Sequence, residues 1–145
     1  MTDVTEQVVR RMSRRSASKT LHLIAVVVYL GFIFYLSSFP DLPDIGRYGV
    51  KDWMAHGVEY FGLGAIVTSA AAVTWPWSGV ACGGFAVALG AGYGVSDEFH
   101  QRFVPGRQCD IRDWTADVVG SALGAGALLT WRRLRKSFTR SGGSP

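Results

Sequence analysis

The chain is poor in cysteine and in charge. Two cysteines and 18% charged residues in a chain of 145 exclude a disulfide-built scaffold, a cysteine-ligated metal centre and a solvated disordered chain. Cys82 falls in an apolar run and Cys109 in a polar stretch, so a disulfide between them is not expected. From Tyr60 to Ser96 there is no Asp, Glu, Lys or Arg. As one helix that run would reach roughly 55 Å at 1.5 Å per residue, against a hydrocarbon core of ~30 Å, so it has to fold back on itself.

What is present instead is apolar surface in long stretches. Hydrophobic residues make up 48% of the chain and mean hydropathy is +0.18, more than a soluble domain of this length carries. The fold-back is marked by Trp75-Pro76-Trp77-Ser78, a helix-breaking proline between two residues that favour the membrane interface. Leu21 to Ser38 is also uncharged, and Trp114 to Trp131 has Asp117 as its only formal charge. The expected architecture is therefore all-α: an integral membrane bundle of four transmembrane helices near 21–38, 54–75, 78–96 and 114–131. One membrane domain, 21–131, would sit between basic tails at 1–20 and 132–145, with Gly142–Pro145 a short flexible end. The first run exceeds a signal-peptide core, and Ser38-Phe39-Pro40-Asp41 lacks a small-x-small cleavage pattern, so this segment is expected to stay attached.

Charge sets the orientation. Arg10, Arg11, Arg14, Arg15 and Lys19 precede the first span, and Arg132, Arg133, Arg135, Lys136 and Arg140 follow the last. The positive-inside rule makes both termini cytoplasmic. The loop holding Arg47 and Lys51 and the loop holding Arg102, Arg107 and Arg112 then face outward. With ten of the 15 Lys and Arg flanking spans, the net charge of +4 speaks for anionic lipid headgroups and not for nucleic acid.

The polar residues gather on the outward side. Asp52, His56 and Glu59 follow i, i+4, i+7 spacing and share a helical face. Asp97, Glu98 and Gln101 end the third helix; Pro105, Gly106, Arg107 and Asp110 follow; Asp113 and Asp117 open the fourth. Ionised carboxylates at the hydrocarbon boundary are costly unless paired or watered, and a convergence of acids, one His and one Arg is the usual mark of a working site. The alternative is structural, with Arg107, His56 and the acids pairing and capping helix ends. Three chemistries fit a working site. A divalent cation would suit carboxylates and imidazole, though the spacing matches no specific metal motif. General acid/base work on a lipid-linked phosphate or sugar would use Glu98 or Asp97 as base, His56 as proton carrier and Arg107 as anion holder. The third is binding of a headgroup or peptide, or gating of a solute, without chemistry.

Other features carry less. Asp97-Glu98-Phe99-His100 spells a helicase-like box, but the chain has no P-loop. His22 reads as an interface residue, and His100 as lying off the face of Asp97 and Gln101. Tyr29, Phe32, Phe34 and Tyr35 read as packing and interface aromatics. Gly79/Gly83, Gly90/Gly94 and Gly120/Gly124 repeat at four-residue spacing, which predicts close approach of the third and fourth helices, within one chain in preference to a homo-oligomer.

Taken together, Tyr29 through Leu36-Ser37-Ser38-x-Pro40, Asp52-x-x-x-His56-x-x-x-Tyr60, and Ser96-Asp97-Glu98-x-x-Gln101-x-Phe103-x-Pro105-Gly106-Arg107-x-x-Asp110-x-x-Asp113-x-x-x-Asp117-x-x-Gly120 resemble the VanZ-like membrane protein family over about residues 29–128. Two positions depart from its pattern: Trp53 stands where the family often has Lys, and Asp117 where many members have Asn. The family is named for a protein associated with resistance to the glycopeptide teicoplanin. The resemblance implies a protein of the bacterial cytoplasmic membrane that acts on or binds a cell-envelope component. It supplies no reaction, so catalysis stays open beside a non-catalytic binding, scaffold or transport role. The family's recurring positions correspond here to Asp52, His56, Tyr60, Asp97, Glu98, Gln101, Arg107, Asp110, Asp113 and Asp117, which coincide with the outward cluster; Glu59 joins them from the helical face alone.

Overall fold

The computed structural model of the protein describes residues 2–40 and 51–141. Among them are four α-helices and no strand: α1 Thr2–Ser37, α2 Asp52–Thr74, α3 Gly79–Gln101 and α4 Ile111–Ser141. Arg47 of the first expected outer loop, Asp41, and the Gly142–Pro145 end lie outside the described residues. Three helices, α1 from Glu6 onward, α2 and α3, are long and apolar enough to cross a membrane. The basic leader is not a separate element: α1 runs from Thr2 through the arginines into the apolar segment.

The fold-back falls at the proline. Trp75 leaves helical geometry at φ −117° and ψ 152°, and Ser78 caps the next helix by accepting from the Ala81 N–H at 3.2 Å. A short polar side chain there satisfies one of the free amides at a helix start. The Trp75 and Trp77 rings stack at 4.8 Å, and Phe85 packs edge-on against both.

Packing follows the small residues, in the expected pairing for the glycines of α3 but not for those of α4. The most extensive helix contact is α2 with α4. A Cβ at Gly120 would run into the Gly57 carbonyl oxygen, and one at Gly124 into that of Phe61; that glycine pair therefore seats α4 on α2, not on α3. The expectation of α3 against α4 holds for Gly90 and Gly94, where a Cβ would strike the side chains of Ser121 and Asp117. A four-residue repeat identifies a close face without identifying its partner, because the spacing is a property of one helix alone. Tyr60, Leu63 and Val67 of α2 form the core with Ile33, Ala86 and Ala125. Helix α1 leans on α2 through the Tyr29 hydroxyl, which donates to the Glu59 carbonyl at 3.0 Å, and on α3 through Leu30, whose carbonyl accepts from the Tyr93 hydroxyl at 2.7 Å. Its other faces are bare: Ile24, Val27, Val28, Phe32 and Tyr35 are all exposed. So continuous an apolar surface is what acyl chains cover.

Candidate functional site

Alternating helix direction brings the end of α1, the start of α2, the end of α3 and the start of α4 to one end of the bundle. The described connection at that end is the one between α3 and α4. Val104-Pro105-Gly106-Arg107 forms a tight turn, with the Arg107 N–H donating to the Val104 carbonyl at 3.2 Å and Gly106 at φ 84°. Proline and then glycine at the two central positions are what a type II turn asks for. The turn delivers Arg107, whose Nη1 donates to Asp52 Oδ2 at 2.5 Å and ties the α3–α4 connection to the first residue of α2.

Asp110 then starts α4. Its Oδ1 accepts from the Arg112 N–H at 2.9 Å and its carbonyl from the Asp113 N–H at 3.0 Å, so this carboxylate caps a helix. Its own N–H donates to Glu98 Oε2 at 2.9 Å. Trp114 Nε1 donates to the Ala91 carbonyl at 3.0 Å and pins the first turn of α4 to α3.

Inside this frame lies a buried polar network. His56 Nδ1 donates to Asp117 Oδ1 at 3.0 Å. Gln101 Nε2 donates to Asp97 Oδ2 at 3.3 Å and approaches His56 Nε2 at 3.4 Å. His56, Asp97, Glu98, Asp113 and Asp117 each expose 5% or less, and Gln101 is fully enclosed. Tyr60 lies one turn below His56 with its ring nearly parallel, interplanar angle 7°. Asp52 is more open, and Glu59 is half-buried with no hydrogen-bond partner for its carboxylate among the described residues. The sequence-derived residues thus assemble from three helices into one site, with Glu59 and Asp110 at its margin.

The network is under-satisfied. Glu98 Oε1, Gln101 Oε1, Asp117 Oδ2, Arg107 Nε and the Tyr60 hydroxyl are all buried without a partner among the described residues. Buried polar atoms are nearly always paired, so each of these asks for a ligand, a water or an ion. Among the described residues, two groups bring possible metal-ligand atoms together, Asp52 with His56 and Asp113, and His56 with Glu98 and Asp117.

Sequence reasoning passed over the hydroxyls below the cluster. Ser121 and Thr68 are fully buried, with oxygens that have no partner among the described residues. Ser121 continues the Asp113, Asp117 face of α4 by one turn, and Thr68 the His56, Tyr60 face of α2 by two, so helical spacing held the signal. His100 lies apart, with its Nε2 3.2 Å from Ser38 Oγ and its ring 4.5 Å from Phe34, so it joins α3 to α1.

Four packed helices, three of them able to cross a bilayer, around a buried polar cluster at one end define a small helical membrane protein. The VanZ/LLP1 family model matches residues 3–132, and the chain belongs to that family. Neither a curated protein nor a solved structure matches it.

Proposed function

We propose that this protein acts at the cell envelope, in the bacterial cytoplasmic membrane, by binding or transforming a lipid-linked envelope component at the cluster around His56. The observation that carries this reading is the group of four carboxylates, one imidazole and one carboxamide buried together with unpartnered oxygens. Buried ionisable groups seldom add stability over apolar packing of the same volume, so a bundle held by close glycine contacts gains little from them as structure.

The surroundings favour a lipid-linked ligand. A groove of about 730 Å³ between α2 and α4, lined by Trp53, Gly57, Phe61, Ala116, Val119 and Leu123, is almost wholly apolar and within the size range of small-molecule sites. Trp53 and Arg112 border both this groove and the polar mouth formed by Lys51, Asp52, Arg107 and Asp113. A hydrocarbon tail in the groove would set its phosphate or sugar beside the cluster. There Arg107 holds the anionic group, Glu98 or Asp97 serves as base, and His56, oriented by Asp117, carries the proton.

In this reading α4 is the fourth span. It runs beside its neighbours from the Gly57–Ala116 approach to the Gly79–Leu129 approach, the depth covered by α2 and α3. The basic ends of α1 and α4 lie in the cytoplasm and the cluster faces outward. Tolerance to teicoplanin is the phenotype to score. His56→Ala and Glu98→Gln, at unchanged membrane abundance, are expected to remove the tolerance or envelope phenotype that the intact protein confers; full retention in both overturns the reading.

A further inference from the structure

We propose that His56, Glu98 and Asp117 bind one divalent transition-metal cation of the Mn2+ or Zn2+ class. This rests on the cluster being a working site and not on which envelope component it meets. Each of the three residues offers one ligand atom, and these atoms lie within 4.8 Å of one another in a buried setting. Ligands sharing an ion at 2.0–2.2 Å stand about 3 to 3.5 Å apart, so the set is a side-chain adjustment away from closure.

Acids in a group would not carry this alone. The independent sign is a set of buried acceptors that accept from nothing among the described residues: Glu98 Oε1, Asp117 Oδ2 and the Gln101 carboxamide oxygen. Gln101 is not an acid, is fully enclosed, and borders the triad through its contact with His56. Buried acceptor lone pairs on three neighbouring residues call for a cation or for donors. Charge balance points the same way. Asp97, Glu98, Asp113 and Asp117 are buried, the Arg107 guanidinium is engaged by Asp52, and Asp117 shares His56. Carboxylates in excess of cations in a low-dielectric site favour an ion that supplies two charges. The other group, Asp52, His56 and Asp113, shares the same imidazole, but its Asp52 is exposed and already paired with Arg107. One imidazole with two carboxylates suits Mn2+ or Zn2+; Ca2+ prefers an all-oxygen set.

The test uses the full-length protein purified in detergent, stripped by chelator, exposed to Mn2+ or Zn2+ and freed of excess ion. Metal per chain is measured, and bound Mn2+ is examined by pulsed EPR for nitrogen coupling. Wild type is expected to keep about one ion per chain, with a nitrogen coupling that disappears in His56→Gln. Glu98→Gln and Asp117→Asn are near-isosteric and are expected to weaken retention by about 10-fold or more, while Asp52→Asn retains the ion. Melting curves of the metal-free proteins establish that each is folded; if Asp117→Asn is not, Glu98→Gln and the nitrogen coupling decide. Wild type that keeps neither ion, or a folded Glu98→Gln that binds as wild type does, overturns the proposal. Scoring the same variants for the envelope phenotype separates the two readings. Phenotype lost in Glu98→Gln with no ion held by wild type removes the metal and leaves the site. Ion binding lost in Glu98→Gln with phenotype intact keeps the metal and removes the envelope role.

Discussion

Gly106 shows how a single residue can act on a site it does not touch. Its φ of 84° lies where an L side chain costs roughly 1–2 kcal/mol, and the turn it makes is what carries Arg107 to Asp52. Gly106→Ala is therefore expected to impair function partially, between wild type and Arg107→Ala, with membrane abundance unchanged; an envelope-phenotype assay beside an immunoblot checks this. At this scale the sequence was legible in kind but not in pairing. Pro105-Gly106 announces a turn, and His56 falls on the face of Asp52 and Glu59. Nothing in the spacing says that Asp117 receives the Nδ1–H of His56, or that Asp110 caps α4. Those partners are separated by 61 residues in one case and by a helix boundary in the other.

Between elements, α4 depends most on shape. Its Gly124 lies so close to the Phe61 carbonyl that any side chain forces the helices apart, whereas a Cβ at Gly126 meets nothing within 4 Å. Overpacking a tight contact costs about 1–3 kcal/mol. Gly124→Val is expected to lower the melting temperature of the detergent-purified protein by several degrees, while Gly126→Ala leaves it unchanged. Equal effects would mean that α4 does not seat on α2 at that point. Because Gly120, one turn nearer the cluster, makes the same kind of approach, the spreading caused by Gly124→Val should also weaken the site that α2 and α4 share.

For the whole molecule the decisive quantity is which way the cluster faces. Cys109 is exposed beside Asp110, and Cys82 is buried in the core of α3. If the site end is extracellular, a membrane-impermeant maleimide is expected to label intact cells at Cys109, with labelling abolished in Cys109→Ser, and Cys82 to react only after denaturation. Labelling of Cys109 only in opened cells would invert the topology and with it the envelope-facing site. The exposed apolar faces of α1 also make sense only at this scale, as surface that a bilayer covers.

The sequence by itself determined that the chain is helical, where it turns back, and which polar residues gather at one end, because helix length, proline placement and charge exclusion are local consequences of backbone geometry and solvation. It also held the family, through motifs spread from Tyr29 to Gly120. Only the tertiary structure decided that Gly120 and Gly124 meet α2, that Arg107 pairs with Asp52, that His100 goes to α1, and that Ser121 and Thr68 lie buried below the cluster. Helical periodicity defines faces, but which faces meet depends on the relative rotation and depth of the helices. Those are set by steric fit between small residues distant in the chain, a property that no single segment contains.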